Sequence, residues 1–229
     1  MLNNFESSDN KFYNILKYIH IFFLSNIYFG ICNFLLIITL IFFEVNFYNI
    51  LIFLVPIIFI APSLSALFYL FNKFIYIDKD LIITNEFFKG YKKNFFSSLK
   101  VWVPLLISLI IITLDINIII LNKKFLILSI PLSFLFIFNV LIMIYSLIFN
   151  SKYEITFINN LKLSFYILIK KPFIALLNLI IIILCIFILL YSKSLLSLFI
   201  IGISAYLILK NLTKSFLIVE NIYINNRKE

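Results

Sequence analysis

Six long apolar runs, separated by polar stretches, make up most of the chain. Each run has about the 20 residues that a helix needs to cross a hydrocarbon core roughly 30 Å thick. The pattern therefore predicts an all-α, polytopic helical membrane protein whose residues form a single membrane domain, 1–229. The predicted transmembrane helices cover residues 19–43, 49–71, 101–121, 125–149, 172–191 and 195–217.

Two longer polar connections, residues 73–100 and 150–171, carry apolar residues at a helical period. Such a period predicts an amphipathic helix, and lysines on the polar face are typical of a helix in the membrane interface. We therefore expect two interfacial helices whose apolar faces lie in lipid. The first face consists of Phe87, Phe88, Tyr91, Phe95, Leu99 and Trp102, and the second of Ile158, Leu161, Phe165 and Leu168.

A short repeat relates the two connections. Lys92-Lys93-Asn94-Phe95 in the first is echoed by Lys170-Lys171-Pro172-Phe173 in the second, and each motif precedes a predicted span. The echo predicts a duplicated unit of amphipathic helix and span. Within the first helix, Gly90 lowers helix propensity by about 1 kcal/mol relative to Ala. It therefore predicts either a kink or a close contact at that position.

Composition agrees with a membrane protein. Hydrophobic residues make up 64% of the sequence and charged residues only 13%, against about half and about a quarter in soluble domains. The net charge of +9 does not indicate nucleic acid, because the lysines lie at the ends of the apolar runs. That placement suits anionic lipid headgroups and predicts a lipid bilayer as the surroundings of the chain.

The distribution of basic residues predicts an orientation. Of the 19 lysines and arginines, 16 lie on the side shared by both termini and the two longer connections. Only Lys123, Lys124 and Lys193 lie on the other side. Basic residues concentrate in cytoplasmic loops. We therefore expect a multi-pass protein of the plasma membrane with both termini and both amphipathic helices cytoplasmic.

Two roles are open for the exposed lysines of the connections. The lysines bind lipid headgroups and anchor the helices, or they dock a cytoplasmic partner protein. The candidate residues for both roles are Lys89, Lys92, Lys93, Lys170 and Lys171.

Several polar and small residues fall inside the predicted spans. The small-residue patch of Pro62, Ser63, Ser65 and Ala66 is typical of close helix packing. Pro56 and Pro62 predict kinks in the second span rather than breaks. Burying an ionisable group in a membrane costs several kcal/mol unless it is paired, which makes Asp115 a functional candidate. The candidate intramembrane polar residues are Asp115, Asn33 and Asn139.

No set of residues typical of catalysis occurs in the sequence. His20 is the only histidine and has no predicted partner, and Cys32 and Cys185 stand alone within spans. The three glycines form no phosphate-binding loop. The sequence therefore predicts a protein that is not an enzyme and that holds no cofactor and no metal.

Two motifs resemble a known family. The segments Ala61-Pro62-Ser63-Leu64-Ser65-Ala66-Leu67-Phe68-Tyr69 and Phe87-Phe88-Lys89-Gly90-Tyr91-Lys92-Lys93-Asn94-Phe95 are similar to motifs of the YesL-like family of uncharacterised bacterial membrane proteins. The chain departs from the family at Ile57-Ile58-Phe59-Ile60, where a Pro-x-x-Thr-x-Gly pattern is usual. The resemblance implies an accessory protein of the bacterial plasma membrane that is encoded beside carbohydrate ABC transporters and sensor kinases.

Two functional hypotheses follow. The first is a non-enzymatic accessory or regulatory component linked to carbohydrate uptake or sensing. Its expected partners are ABC transporter subunits, a sensor kinase or further copies of the chain. The second is a small transporter in its own right. Its polar path would consist of Asn26, Asn33, Asn139, Asn178 and Asp115.

Overall fold

The computed structural model describes residues 2–44, 49–77, 81–122, 126–191 and 197–226, and these residues contain helices and no strand. The predictions for Lys123, Lys124 and Lys193 lie outside the described residues. The helices are α1 (Leu2–Cys32), α2 (Phe34–Phe42), α3 (Ile50–Tyr76), α4 (Ile83–Asn122), α5 (Ser129–Lys152), α6 (Phe157–Lys170), α7 (Pro172–Tyr191) and α8 (Ser197–Asn226). A short 3₁₀ turn, Leu126–Leu128, precedes α5.

Five segments of the described helices are long and apolar enough to cross a membrane. A shorter apolar segment, Ile200–Thr213, lies in α8. The all-α, polytopic membrane fold predicted from the sequence is therefore confirmed. The five long segments are Ile15–Cys32, Leu51–Tyr76, Ile83–Leu121, Leu126–Lys152 and Pro172–Leu189.

The first predicted span consists of two helices rather than one. The break lies at Asn33, whose side-chain nitrogen donates to the carbonyl oxygen of Phe29 at 2.8 Å and to the Ser63 hydroxyl at 2.6 Å. An asparagine side chain that bonds to the backbone competes with the regular helix ladder. The hydrophobic pattern contains no sign of this break because the residues on both sides are apolar.

The first connection and the third span form one continuous helix. We predicted a separate interfacial helix before residue 101, but α4 runs unbroken for 40 residues, or about 60 Å at 1.5 Å per residue. Pro104 lies within it without ending it. A change from charged to apolar residues marks a change of surroundings and does not end a helix, so the start of the third span at residue 101 stays a prediction.

The aromatic face of this helix packs against protein rather than lipid. Phe87 is fully buried, and the indole nitrogen of Trp102 donates to the carbonyl oxygen of Ile57 on α3 at 3.1 Å. In contrast, Phe96, which lies off the predicted face, has 74% of its surface exposed. The prediction of a lipid-facing aromatic side was therefore wrong. Periodicity shows which residues share a face, but it does not show what that face contacts.

The second connection contains α6, whose buried face also differs from the predicted one. Ile158 and Phe165 are exposed, whereas Asn160 and Ser164 are fully buried. The Ser164 hydroxyl lies 2.9 Å from that of Ser146 on α5, and the Asn160 nitrogen donates to the Ser146 carbonyl oxygen at 3.0 Å. Because of these polar contacts, α6 buries a face that differs from its predicted apolar face. The residues of the observed buried face are Asn160, Leu163, Ser164, Ile167 and Leu168.

The two lysine pairs occupy different positions in the helices. Lys92 and Lys93 lie within the first third of α4, whereas Lys171 separates α6 from α7. The two connections therefore differ in helix continuity, and the duplication of a helix-and-span unit stays a prediction.

The helix α3 lies at the centre of the fold and contacts α1, α2, α4, α5 and α8. It continues through both Pro56 and Pro62. The candidate packing residues Pro62, Ser63, Ser65 and Ala66 are all buried on it. Small side chains let the neighbouring helices approach α3 closely, so the core of the protein lies around this segment.

Candidate functional site

Among the described residues, three ion pairs gather where α3 and α5 end and α4 begins, and we call this part of the molecule the charged end. Lys73 on α3 lies 2.6 Å from Glu86 on α4. Lys93 on α4 lies 3.1 Å from Glu154, which follows α5. The third pair joins Lys152 on α5 to Glu220 on α8, also at 3.1 Å. The charged end therefore connects four helices through charge as well as through packing.

The ammonium of Lys152 also contacts three aromatic rings in addition to its carboxylate partner. Its ammonium lies 4.0 Å from the ring centroid of Phe216, 4.8 Å from that of Tyr76 and 5.1 Å from that of Tyr153. Cations within about 6 Å of a ring face are attracted by about 0.5–2 kcal/mol. This cluster attaches α8 to the ends of α3 and α5.

The ionisation of Glu220 follows from these contacts. The hydrogen bond from Lys152 is the main cause that lowers the pKa of the Glu220 carboxyl, and the hydroxyl of Tyr153 also donates to this carboxylate, at 2.9 Å. Burial, followed by the bond to Glu220, raises the pKa of Tyr153. Tyr153 therefore keeps its proton at neutral pH and continues to donate it to the carboxylate.

We expect acid to weaken the link between α5 and α8. A carboxyl whose pKa is lowered in the folded state stabilises the fold above its ordinary pKa, and this stabilisation is lost as pH falls through the folded value. The Glu220 side chain is 42% exposed, so its contribution is at most about 1 kcal/mol. In thermal unfolding of detergent-solubilised protein, the wild type should exceed Glu220→Gln in stability at pH 7.

This advantage over Glu220→Gln should shrink progressively below pH 4.5, the ordinary pKa of the carboxyl. A difference that stays constant down to strongly acidic pH would contradict the role assigned to the ionised carboxylate. Lys162→Gln is a suitable control, since Lys162 is exposed on α6.

A line of exposed residues follows the outer face of α4 near the charged end. We call these residues, Lys89, Lys92, Lys93, Phe96 and Lys100, the basic stripe. Their spacing of three or four residues places them on one side of the helix. Further along the same side, exposed residues become apolar at Pro104, Ile107 and Ile111. The other candidate lysines, Lys170 and Lys171, are exposed at the junction of α6 and α7.

Several polar side chains inside the protein join neighbouring helices. Asn33 bonds to Ser63, and Asn139 donates to the hydroxyl of Ser108 on α4. Asn178 donates to the hydroxyl of Tyr145 at 2.9 Å and accepts from Asn211 at 2.8 Å, while Asn26 accepts from the backbone nitrogen of Gly202 at 3.0 Å. These contacts lie at separate helix interfaces. Asp115 lies apart from them, exposed on α4.

A pocket of about 420 Å³ opens beside the basic stripe, and most of its lining residues are polar although its surface is more apolar than polar. It lies between α4, the end of α5 and the segment 153–156 that leads to α6. Sequence reasoning missed it because its two halves come from the two separate connections. The only signal was the presence of Asn94 and Asn150 next to helical apolar patterns. Within the described residues, no group of three or more His, Cys, Asp or Glu side chains is placed to hold a metal ion.

Comparison with known protein families gives a match over part of the chain. No curated protein and no solved structure matches the chain. Residues 16–116 match the sequence model of a family described as "Protein of unknown function, DUF624". The matched segment runs from α1 to α4 and includes the small-residue patch, the basic stripe and the pair Lys73–Glu86. This part of the chain is therefore similar to a family of unknown function.

Proposed function

We propose that the protein is a non-enzymatic accessory or regulatory component of the bacterial plasma membrane that docks a partner protein through the basic stripe. The observation that supports this is the exposure of four lysines and one phenylalanine on one side of a continuous helix. Charged residues around an exposed aromatic side chain suit a protein interface, in which aromatic residues supply much of the binding energy.

The setting of α4 favours docking over simple anchoring. An anchoring helix places its apolar face in lipid, but Phe87 and Trp102 on α4 pack against other helices. The pair Lys73–Glu86 and the bond from Trp102 to Ile57 hold α4 against α3. A helix that is already fixed loses little further freedom when a partner binds. The complementary surface on the partner is acidic.

The link to carbohydrate uptake or sensing rests on the resemblance of segments 61–69 and 87–95 to the YesL-like family. The partners that this resemblance implies are ABC transporter subunits or a sensor kinase. The excess of basic residues on one side supports a cytoplasmic location for the stripe. A cytoplasmic stripe is accessible to the nucleotide-binding subunits of a transporter and to the soluble part of a kinase.

The alternative, transport by the chain itself, finds less support. The asparagines of the expected polar path bond across separate helix interfaces, and Asp115 lies on the outer surface. In proteoliposomes that contain only this protein, we therefore expect no sugar flux above that of empty liposomes. Flux without a partner would favour the transporter hypothesis.

Charge reversal on the stripe should remove the partner without affecting the fold. In the triple variant Lys89→Glu/Lys92→Glu/Lys100→Glu, the pair Lys93–Glu154 stays intact. Three lost pairs of up to about 1 kcal/mol each, together with new repulsion, correspond to at least a tenfold loss of binding. The amount of transporter subunits or kinase that copurifies from membranes at equal expression should fall accordingly.

Two controls separate docking from anchoring. The triple Lys→Arg variant keeps the charge and should copurify the partner as the wild type does. Lys162→Glu, an equally exposed change on α6, should also leave copurification unchanged. If the Glu variant instead fails to accumulate in the membrane, the lysines serve to anchor the helix and the docking proposal is wrong.

A further inference from the structure

We propose that the pocket beside the basic stripe binds a small uncharged molecule rich in hydroxyl groups, of about the size of a monosaccharide. The pocket volume of about 420 Å³ lies in the range of about 300–1,000 Å³ that is usual for small-molecule sites. The proposal deepens the proposed function, because sensing requires a ligand. The effect of the ligand on docking rests on the proposed function, whereas binding of the ligand to the pocket is tested independently.

The lining of the pocket includes two amides and a hydroxyl beside the more apolar Tyr153 and Ile155. Asn94 and Asn150 are 3% and 7% exposed, and the Asn150 nitrogen donates to the hydroxyl of Ser97 at 3.0 Å. The side-chain nitrogen of Asn94 has no hydrogen-bond partner in the described part of the chain. A buried polar group without a partner is destabilising. Turning this nitrogen toward a ligand oxygen breaks no existing bond.

The rim of the pocket supplies a second hydroxyl. Thr156 is exposed and stands at the N-cap of α6, but its side chain makes no capping bond to the helix. A threonine at this position usually bonds to the backbone of the first turn. Its hydroxyl is therefore available to a ligand. Amide and hydroxyl groups that converge from α4 and from this segment match a ligand with several hydroxyl groups.

The charges at the pocket favour an uncharged ligand. Lys93 and Glu154 both line it and lie 3.1 Å apart, so that their charges largely cancel. A phosphate or carboxylate would gain from Lys93 but would be repelled by Glu154. Lys93 also belongs to the basic stripe. Because Lys93 belongs to both, a ligand in the pocket lies directly beside the proposed docking surface, which connects the two.

Thermal unfolding of the full chain in detergent micelles tests the proposal. The probes are D-glucose, D-galactose and D-mannose, each titrated to saturation, with glucose 6-phosphate as the charged comparison. At least one neutral sugar should raise the melting temperature in a saturable manner. Asn94→Ala and Thr156→Val should each weaken the apparent affinity about three- to tenfold. Asn159→Ala, an exposed change on α6 outside the pocket, should bind as the wild type does.

The outcomes distinguish this proposal from the proposed function. The absence of a saturable response to all three neutral sugars overturns the site, and a response to glucose 6-phosphate alone overturns the uncharged ligand. Equal affinities of the wild type and Thr156→Val also overturn it, even if Asn94→Ala does not fold. A sugar response that depends on Thr156 supports the site even if no partner copurifies, in which case only the docking function fails.

Discussion

Gly90→Ala should destabilise the protein by about 2 kcal/mol, although alanine normally favours a helix. A Cβ atom at this position would lie 2.7 Å from Cδ1 of Tyr69 and 2.9 Å from its Cβ. The Cβ atom of Tyr69 is attached directly to the backbone of α3, so no rotation of the side chain removes the overlap. Overpacking costs about 1–3 kcal/mol, and here the upper part of that range applies. The gain in helix propensity offsets only about 1 kcal/mol.

The matched control is Gly30→Ala on α1. A Cβ atom there would meet only Cδ1 of Ile37, at 3.9 Å, which is an ordinary contact. This variant should therefore be neutral or stabilised by up to about 1 kcal/mol. Equilibrium unfolding in mixed micelles measures both variants. The two variants should change the free energy of unfolding in opposite directions. A stabilised Gly90→Ala would show that α3 and α4 are not in close contact at this point.

Gly90 also illustrates what sequence reasoning provides. Its low helix propensity predicts a kink or a close contact, and the structure shows a close contact within a continuous helix. The all-α membrane fold was predictable because apolar runs of about 20 residues can cross a bilayer only as helices. The break at Asn33 was not predictable, since it depends on Ser63 from another helix.

The buried faces of the helices were the least predictable feature. Hydrophobic periodicity assumes an apolar core and polar surroundings, but the lipid is as apolar as the core. Buried and exposed faces of a membrane helix can therefore both be apolar, as Phe87 and Phe96 show. On α6 the assumption fails further, because Asn160 and Ser164 turn inward to contact Ser146.

The candidate site was only partly predictable for a related reason. The exposure of Lys89 and Lys92 follows from the cost of burying a charge. The partner of Lys152 is 68 residues away in sequence at Glu220, and no local pattern connects them. The pocket likewise combines Asn94 with Thr156. Contacts between distant segments depend on helix crossing angles, which the sequence pattern does not determine.

Phe71→Ala should cause a larger loss of stability than Gly90→Ala, about 3 kcal/mol or more. Phe71 on α3 is fully buried, and its ring centroid lies 5.9 Å from that of Phe22 on α1 and 5.8 Å from that of Tyr206 on α8. Removing a buried aromatic ring typically costs about 3–5 kcal/mol, because a cavity remains where the surrounding side chains cannot collapse. Lipid tails do not reach the enclosed space, so the lost dispersion contacts are not replaced.

Phe96→Ala is the matched control, since it removes the same ring from an exposed position on α4. Its effect on stability should stay within about 0.5 kcal/mol. Unfolding of both variants in mixed micelles gives the comparison, and proteolysis of the native protein adds a second measurement. Because Phe71 joins α1, α3 and α8, its loss should also expose α8 to cleavage before the hairpin of α3 and α4. Similar unfolding curves for the two variants would mean that the aromatic cluster does not hold these three helices together.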